Sequence, residues 1–133
     1  MTVLLDSNFL LVPSTLRIDI FSEIERTIEL PVRFVVIDSV LHELETRAED
    51  EKHRGTARHF RHAMSLAGRC DRETVPDHME NMSVDEQLLE YAKVKGYVIA
   101  TNDRELRRRS RDLGLTVITL REGKKVIVIG AVP

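Results

Sequence analysis

A chain of 133 residues, 42% hydrophobic and 32% charged, is long enough to bury one core between helices and a sheet, so a single domain over residues 1–133 is expected. Its apolar runs fall short of a membrane span and no basic leader opens it, which points to a cytoplasmic protein with no membrane contact. One cysteine, Cys70, excludes an internal disulfide and a Cys-rich zinc site, and a net charge of −2 excludes uniform attraction to nucleic acid, so local charge must be read instead.

The run TVLL reads as a short buried strand ended by Asp6. Ser14 is placed to cap a helix carrying Leu16, Ile20, Ile24 and Ile28 at near-helical spacing. VRFVVI is a second strand, and Asp38 and Ser39 are placed to cap the helix VLHELETRAE that follows. From about Glu51 to Ala67 the pattern is a charged helix with an apolar minority, Ala57, Phe60, Met64 and Leu66, ended by Gly68. ETVP then reads as a short strand and residues 77–82 as a loop. Ser83-Val-Asp-Glu86 is a capping box, opening a helix with Leu88, Leu89, Ala92 and Val94 that Gly96 stops. YVIAT is a strand, and after Asn102 and Asp103 comes the basic helix RELRRRSRDL, closed by Gly114. LTVITL and KVIVIG follow, joined by a turn at residues 121–124, so that residues 121–133 supply an edge hairpin strand. This alternation predicts an α/β fold: three α/β/α layers around a mainly parallel central sheet of about five strands, with an antiparallel C-terminal edge strand.

In such sheets the ligand crevice lies beyond the carboxyl ends of the strands, where strand order reverses. Asp6 and Asp103 directly follow strand runs. Asp85, at the start of its helix, and Glu43, about one turn into its own, are placed to reach the same crevice. Carboxylates gathered there repel one another unless protons or a cation neutralise them, and hard oxygen ligands suit Mg²⁺ or Mn²⁺. An ion so held supplies what phosphodiester hydrolysis requires, an acidified water and a counter-charge for the phosphorane. Ser7, Asn8, Thr101 and Asn102 flank the strand-end acids and are placed to fix carboxylate rotamers. Each acid also has a structural reading: Asp6 as a turn residue, Glu43 as a solvated helix residue with Glu45 as its substitute, Asp85 at a positive helix end, Asp103 as an N-cap.

Arg104, Arg107, Arg108 and Arg111 follow i, i+3, i+4 and i+7 spacing, a basic stripe suited to an RNA backbone or, alternatively, a solvated face paired with Glu105 and Asp112. A second basic stretch, Lys52, His53, Arg54, Arg58, His59, Arg61 and His62, reads as an exposed face in preference to a phosphate grip. Its histidines, His53, His59 and His62, lack an i, i+4 pair and make a poor zinc site. Few aromatic residues leave little for base stacking. A phosphoacceptor or phosphatase expects Asp-x-Asp or a helper acid pair and Lys, whereas Ser7 and Asn8 follow Asp6 here.

From VLLDSNFLL through VIDSVLHELE and VDEQLLEYAKVKGYVIATNDRELRRR to LGLTVITLR, the chain resembles the PIN-domain nucleases. ATNDRELRRRSRDLGLTVITLR is most similar to the branch of ribosome-maturation nucleases and their archaeal relatives. The resemblance implies that Asp6, Glu43, Asp85 and Asp103 form an acidic quartet holding Mg²⁺ or Mn²⁺ for endonucleolytic RNA cleavage. Glu86 competes with Asp85 for the third place, and Asp85 is preferred because Glu86 has a capping role open to it. Toxins of toxin–antitoxin pairs share the domain, as would a non-cleaving binding module. Candidate partners are therefore RNA, a second copy in a homodimer, and a ribosome-assembly factor or an antitoxin.

Overall fold

Strand β1 (Thr2–Leu5) is the axis of the structure, with Val3, Leu4 and Leu5 fully buried. It pairs in parallel with β2 (Arg33–Ile37) on one side and β4 (Val98–Ala100) on the other, which explains why these strands are continuous apolar runs rather than alternating ones. The computed structural model describes residues 1–50 and 54–131. Its single sheet adds β3 (Asp71–Glu73) beyond β2, and β5 (Val117–Arg121) and β6 (Lys125–Ile129) beyond β4, in the order β3-β2-β1-β4-β5-β6. Only β6 is antiparallel, paired in register from Val117 with Ile129 to Arg121 with Lys125. The expected α/β architecture therefore holds, with five parallel strands and the antiparallel C-terminal edge strand.

The helices are α1 (Ser7–Leu10), α2 (Val12–Leu16), α3 (Ile20–Ile28), α4 (Asp38–Ala48), α5 (Arg54–Ala67), α6 (Val84–Lys95) and α7 (Arg104–Asp112). Together with the strands they enclose one apolar cluster that includes Leu4, Phe9, Ile24, Leu44, Leu88, Ile99 and Leu106. Among the described residues no helix is long and apolar enough to cross a membrane. The expected start of the α5 helix near Glu51 lies partly outside the described residues.

Four local expectations are corrected. No single helix starts at Ser14: Arg17 takes a left-handed conformation at φ 57°, and α3 begins anew with Asp19, whose carboxylate accepts from Ser22 N at 3.2 Å. Asp6, read as the end of a strand run, also caps the short α1, which the sequence pattern does not announce. Asp38 does not cap α4; its oxygens accept from Arg72 Nε at 2.5 Å and Thr74 Oγ1 at 2.7 Å, while the Ser39 hydroxyl is buried without a partner. The strand expected at ETVP sits earlier, at Asp71–Glu73, because Arg33 on neighbouring β2 pairs with both Asp71 and Glu73 and holds a wholly charged segment on the sheet edge.

The capping reading at Ser83 is half realised, since Ser83 Oγ accepts from Glu86 N at 3.2 Å and the Glu86 carboxylate makes no return bond. Gly96 ends α6 at φ 73°, a conformation that costs glycine little. Leu88 is fully buried on α6 and Val94 is 63% exposed. Leu88→Ala is therefore expected to cost about 2–5 kcal/mol in urea unfolding and Val94→Ala within about 0.5 kcal/mol; equal losses would contradict this packing.

Candidate active site

The sheet turns in opposite directions from β1, to β2 on one side and to β4 on the other, so the carboxyl ends of β1 and β4 form the switch point. Asp6 stands at the end of β1, and its backbone N donates to Ala100 O of β4 at 3.0 Å. Although it is only 5% exposed, both carboxylate oxygens are held: Oδ1 accepts from Ser7 N at 2.8 Å and Oδ2 from Thr101 Oγ1 at 2.8 Å.

Those same neighbours reach the other acids. Ser7 Oγ donates to Glu43 Oε1 in a short bond, tying α1 to α4. Thr101 Oγ1 accepts from Asp103 N at 3.0 Å, while Asp103 Oδ1 caps α7 through Leu106 N at 2.9 Å. A continuous path of hydrogen bonds thus runs from Glu43 through Ser7, Asp6 and Thr101 to Asp103. Asn8 Oδ1 accepts from Asn102 N at 3.1 Å and from Thr101 Oγ1 at 3.3 Å, and Asn102 Oδ1 accepts from Leu120 N at 3.1 Å. The two asparagines therefore fasten the β1 and β4 exits to each other and to β5.

Asp85 joins this group through charge. Burial raises the Asp6 carboxyl, hydrogen bonds from Thr101 and Ser7 oppose the rise, and the Asp85 and Glu43 charges add to it, leaving Asp6 at about 6. Asp85 is likewise pushed up, by burial and then by Asp103, with Arg109 offsetting part of the effect and Glu43 adding to it. Glu86, by contrast, lies exposed in a groove with Glu90 and Arg109. Arg109 is a contributor that the sequence reading did not single out; its position on α7 facing α6 becomes visible only once the two helices pack.

Among the described residues, no three His, Cys, Asp or Glu side chains are gathered tightly enough to enclose a metal on their own. The acids form a looser set, half-buried at Glu43 and Asp85 and exposed at Asp103. Such a donor set fits a hard cation that keeps several of its waters and takes one or two carboxylates directly. Among the described residues the histidines of α5 are not gathered into a metal site, and His59 Nδ1 is bonded to Ser14 Oγ; His53 lies outside the described residues. Cys70 is an inert thiol, pushed up to about 11 by burial.

Arg104, Arg107, Arg108 and Arg111 line one groove of about 590 Å³ with Glu105 and Ile129, beginning one residue beyond Asp103. Arg108 is partly committed, with Nη2 donating to Glu105 at 2.6 Å and Nη1 to Asp112 at 3.0 Å, and Arg111 Nη1 donates to Leu115 O at 2.8 Å. Arg104 and Arg107 have no such partners among the described residues.

A PIN like domain model matches residues 3–123 of the chain. The protein belongs to the PIN-like domain family, as the sequence motifs implied. It is 28% identical over 129 residues to Ribonuclease VapC4 of Methanocaldococcus jannaschii, covering 96% of this chain and 95% of that one. Of solved structures, the PIN domain endonuclease Utp24 is similar with a TM-score of 0.77 and 23% identity, across 99% of this chain and 96% of the other. VapBC2 from Rickettsia felis, bound to a DNA fragment from its promoter, gives 0.64 and 13%, across 91% and 100%. At these identities the solved structures establish the fold.

The Asp6 shift carries a testable sign. A folded-state value raised from 3.8 to about 6 means that the folded chain holds this proton more tightly than the unfolded one. The associated stability is fully present below about pH 4 and is lost as pH rises through about 6, amounting to about 3 kcal/mol. Carboxyl-carbon NMR of labelled Asp in chelator-treated protein should show one Asp titrating near pH 6 and missing from Asp6→Asn. A spectrum in which every Asp titrates below pH 4.5 would contradict the burial of this group.

Proposed function

We propose that the protein is a divalent-metal-dependent endoribonuclease that hydrolyses RNA phosphodiester bonds, with Asp6, Glu43, Asp85 and Asp103 as its acidic residues. The observation that carries this reading is the path from Glu43 to Asp103 through Ser7, Asp6 and Thr101, with Asp85 coupled to it by charge. The names of its relatives, a ribonuclease and a PIN domain endonuclease, point the same way. A carboxylate buried beside others of like charge, as Asp6 is, gains from binding a cation.

Mg²⁺ or Mn²⁺ is the proposed ion; when bound, it lowers the pKa of a water and offsets charge developing on the phosphate. Asp6 and Asp103 are assigned to direct ligation, because they flank the switch point and each has oxygen lone pairs beyond those spent on neighbours. Asp85 and Glu43 hold and orient water, Glu43 being steadied by Ser7. Thr101 fixes the Asp6 rotamer and so positions the site. Arg104 and Arg107, free of acid partners, receive the RNA backbone on α7, and Arg108 and Arg111 extend that groove.

Ribosomal RNA processing, with a ribosome-assembly factor as partner, is the pathway we assign first, on the resemblance of residues 100–121 to the ribosome-maturation nucleases. A toxin held by an antitoxin is the second reading, favoured by the VapC4 and VapBC2 relatives. Asparagine caps a helix about as well as aspartate, so Asp103→Asn separates capping from chemistry. The variant should keep wild-type thermal stability and lose Mn²⁺-dependent RNA cleavage by at least about 10–100-fold, the loss typical of disturbing a metal's surroundings. Asp6→Asn should lose it as well, and wild-type cleavage by both variants would overturn the assignment.

A further inference from the structure

A second concentration of positive charge lies away from α7. Helix α5 carries Arg54, Arg58, His59, Arg61 and His62 and, from residue 54 to 67, no acidic residue at all. Sequence alone leaves it as an exposed helix face, but packing alters the geometry. Helix α2 lies against α5, and Ser14 Oγ bonds His59 Nδ1 across the junction. The chain then reverses at Arg17, whose left-handed backbone ends α2.

This junction opens onto a cavity of about 390 Å³ lined by Pro13, Ser14, Arg17, Arg58, His59 and His62. An adjoining cavity of about 340 Å³ shares Pro13, Arg17 and His62 and adds Arg69. Its one acid, Asp19, has its carboxylate turned to Ser22 N and Oγ. Arg17 and Arg58 are exposed and form no ion pair or hydrogen bond among the described residues. A solvated helix face is ordinarily laced with opposite charges; here two separate segments bring cations together, and among the described residues no acid pairs with Arg17 or Arg58.

We propose that this α2–α5 groove is a second phosphate-backbone site, gripping RNA distant from the bond cleaved. The inference rests on the ribonuclease reading. Arginines arranged around a concave surface bind phosphate oxygens without reading bases, and the scarcity of aromatic residues agrees with backbone recognition. Helix α1, capped by Asp6, packs against α5 as α2 does. RNA leaving the acidic crevice along α1 meets the groove next, while the α7 arginines hold the strand on the other side of the switch point.

The test uses the full chain carrying Asp103→Asn, so that RNA survives the measurement, and a labelled single-stranded RNA of about 20 nucleotides, long enough to span more than one groove. Anisotropy titrations across a salt series give the slope of log affinity against log salt. Adding Arg17→Ala and Arg58→Ala should weaken binding and flatten that slope by about 1.4, from two phosphate contacts at about 0.7 each. Arg26→Ala with Lys93→Ala, which removes equal charge elsewhere on the surface, should leave the slope unchanged. An unaltered slope in the Arg17, Arg58 variant, or equal flattening in both pairs, overturns the proposal. If the slope is unaltered while wild type still cleaves RNA with Mn²⁺, the groove alone is refuted; absence of both binding and cleavage refutes the ribonuclease reading with it.

Discussion

Burial of one carboxyl group at the point where the sheet changes direction governs the organisation of this protein. Asp6 cannot stand there ionised without cost: it is almost fully enclosed, and its neighbours Asp85 and Glu43 carry the same charge. Hydrogen bonds from Ser7 N and Thr101 Oγ1 reduce the cost without removing it, since the group still sits near 6. A fold assembled for stability alone would place an apolar residue or an amide at this position. In the proposed function a cation supplies the missing counter-charge.

Much of the surrounding structure serves that one group. Thr101 accepts from Asp103 N and donates to Asp6, so the exits of β1 and β4 are tied together. Asn8 and Asn102 extend the connection to β5, and Ser7 extends it to α4. These are short polar side chains in the turns after strands, where each can bond a backbone group a few residues away in space though far off in sequence. Beneath them the apolar strands Val3–Leu5 and Val98–Ala100 give a rigid base. Charge then divides the surface, with acids at the switch point, the α7 arginines on one side and the α2–α5 cations on another.

The central strands were legible because a strand buried on both faces is written as a run of β-branched and aliphatic residues, as in residues 2–5, 33–37 and 98–100. Strand β3 carries no such mark: Asp71, Arg72 and Glu73 are held by side-chain pairs to Arg33 and Asp38 that no local pattern announces. The break after α2 was hidden for a related reason, since Arg17 adopts the left-handed conformation without glycine. At the site, the local setting of each acid could be read, but the link between Asp6 and Thr101 spans 95 positions, and spacing says nothing of such contacts. Choosing Asp85 over Glu86 rested on a capping role for Glu86, of which the structure holds only the bond from its backbone N to Ser83 Oγ.

Crystals of the full chain soaked in Mn²⁺ and measured at the manganese absorption edge test the central claim most directly. The account predicts an anomalous peak at the carboxyl ends of β1 and β4, within ligand distance of an Asp6 or Asp103 oxygen and absent from Asp6→Asn crystals. No peak there at saturating Mn²⁺, or the same peak persisting in Asp6→Asn with Asp103 uninvolved, would contradict it.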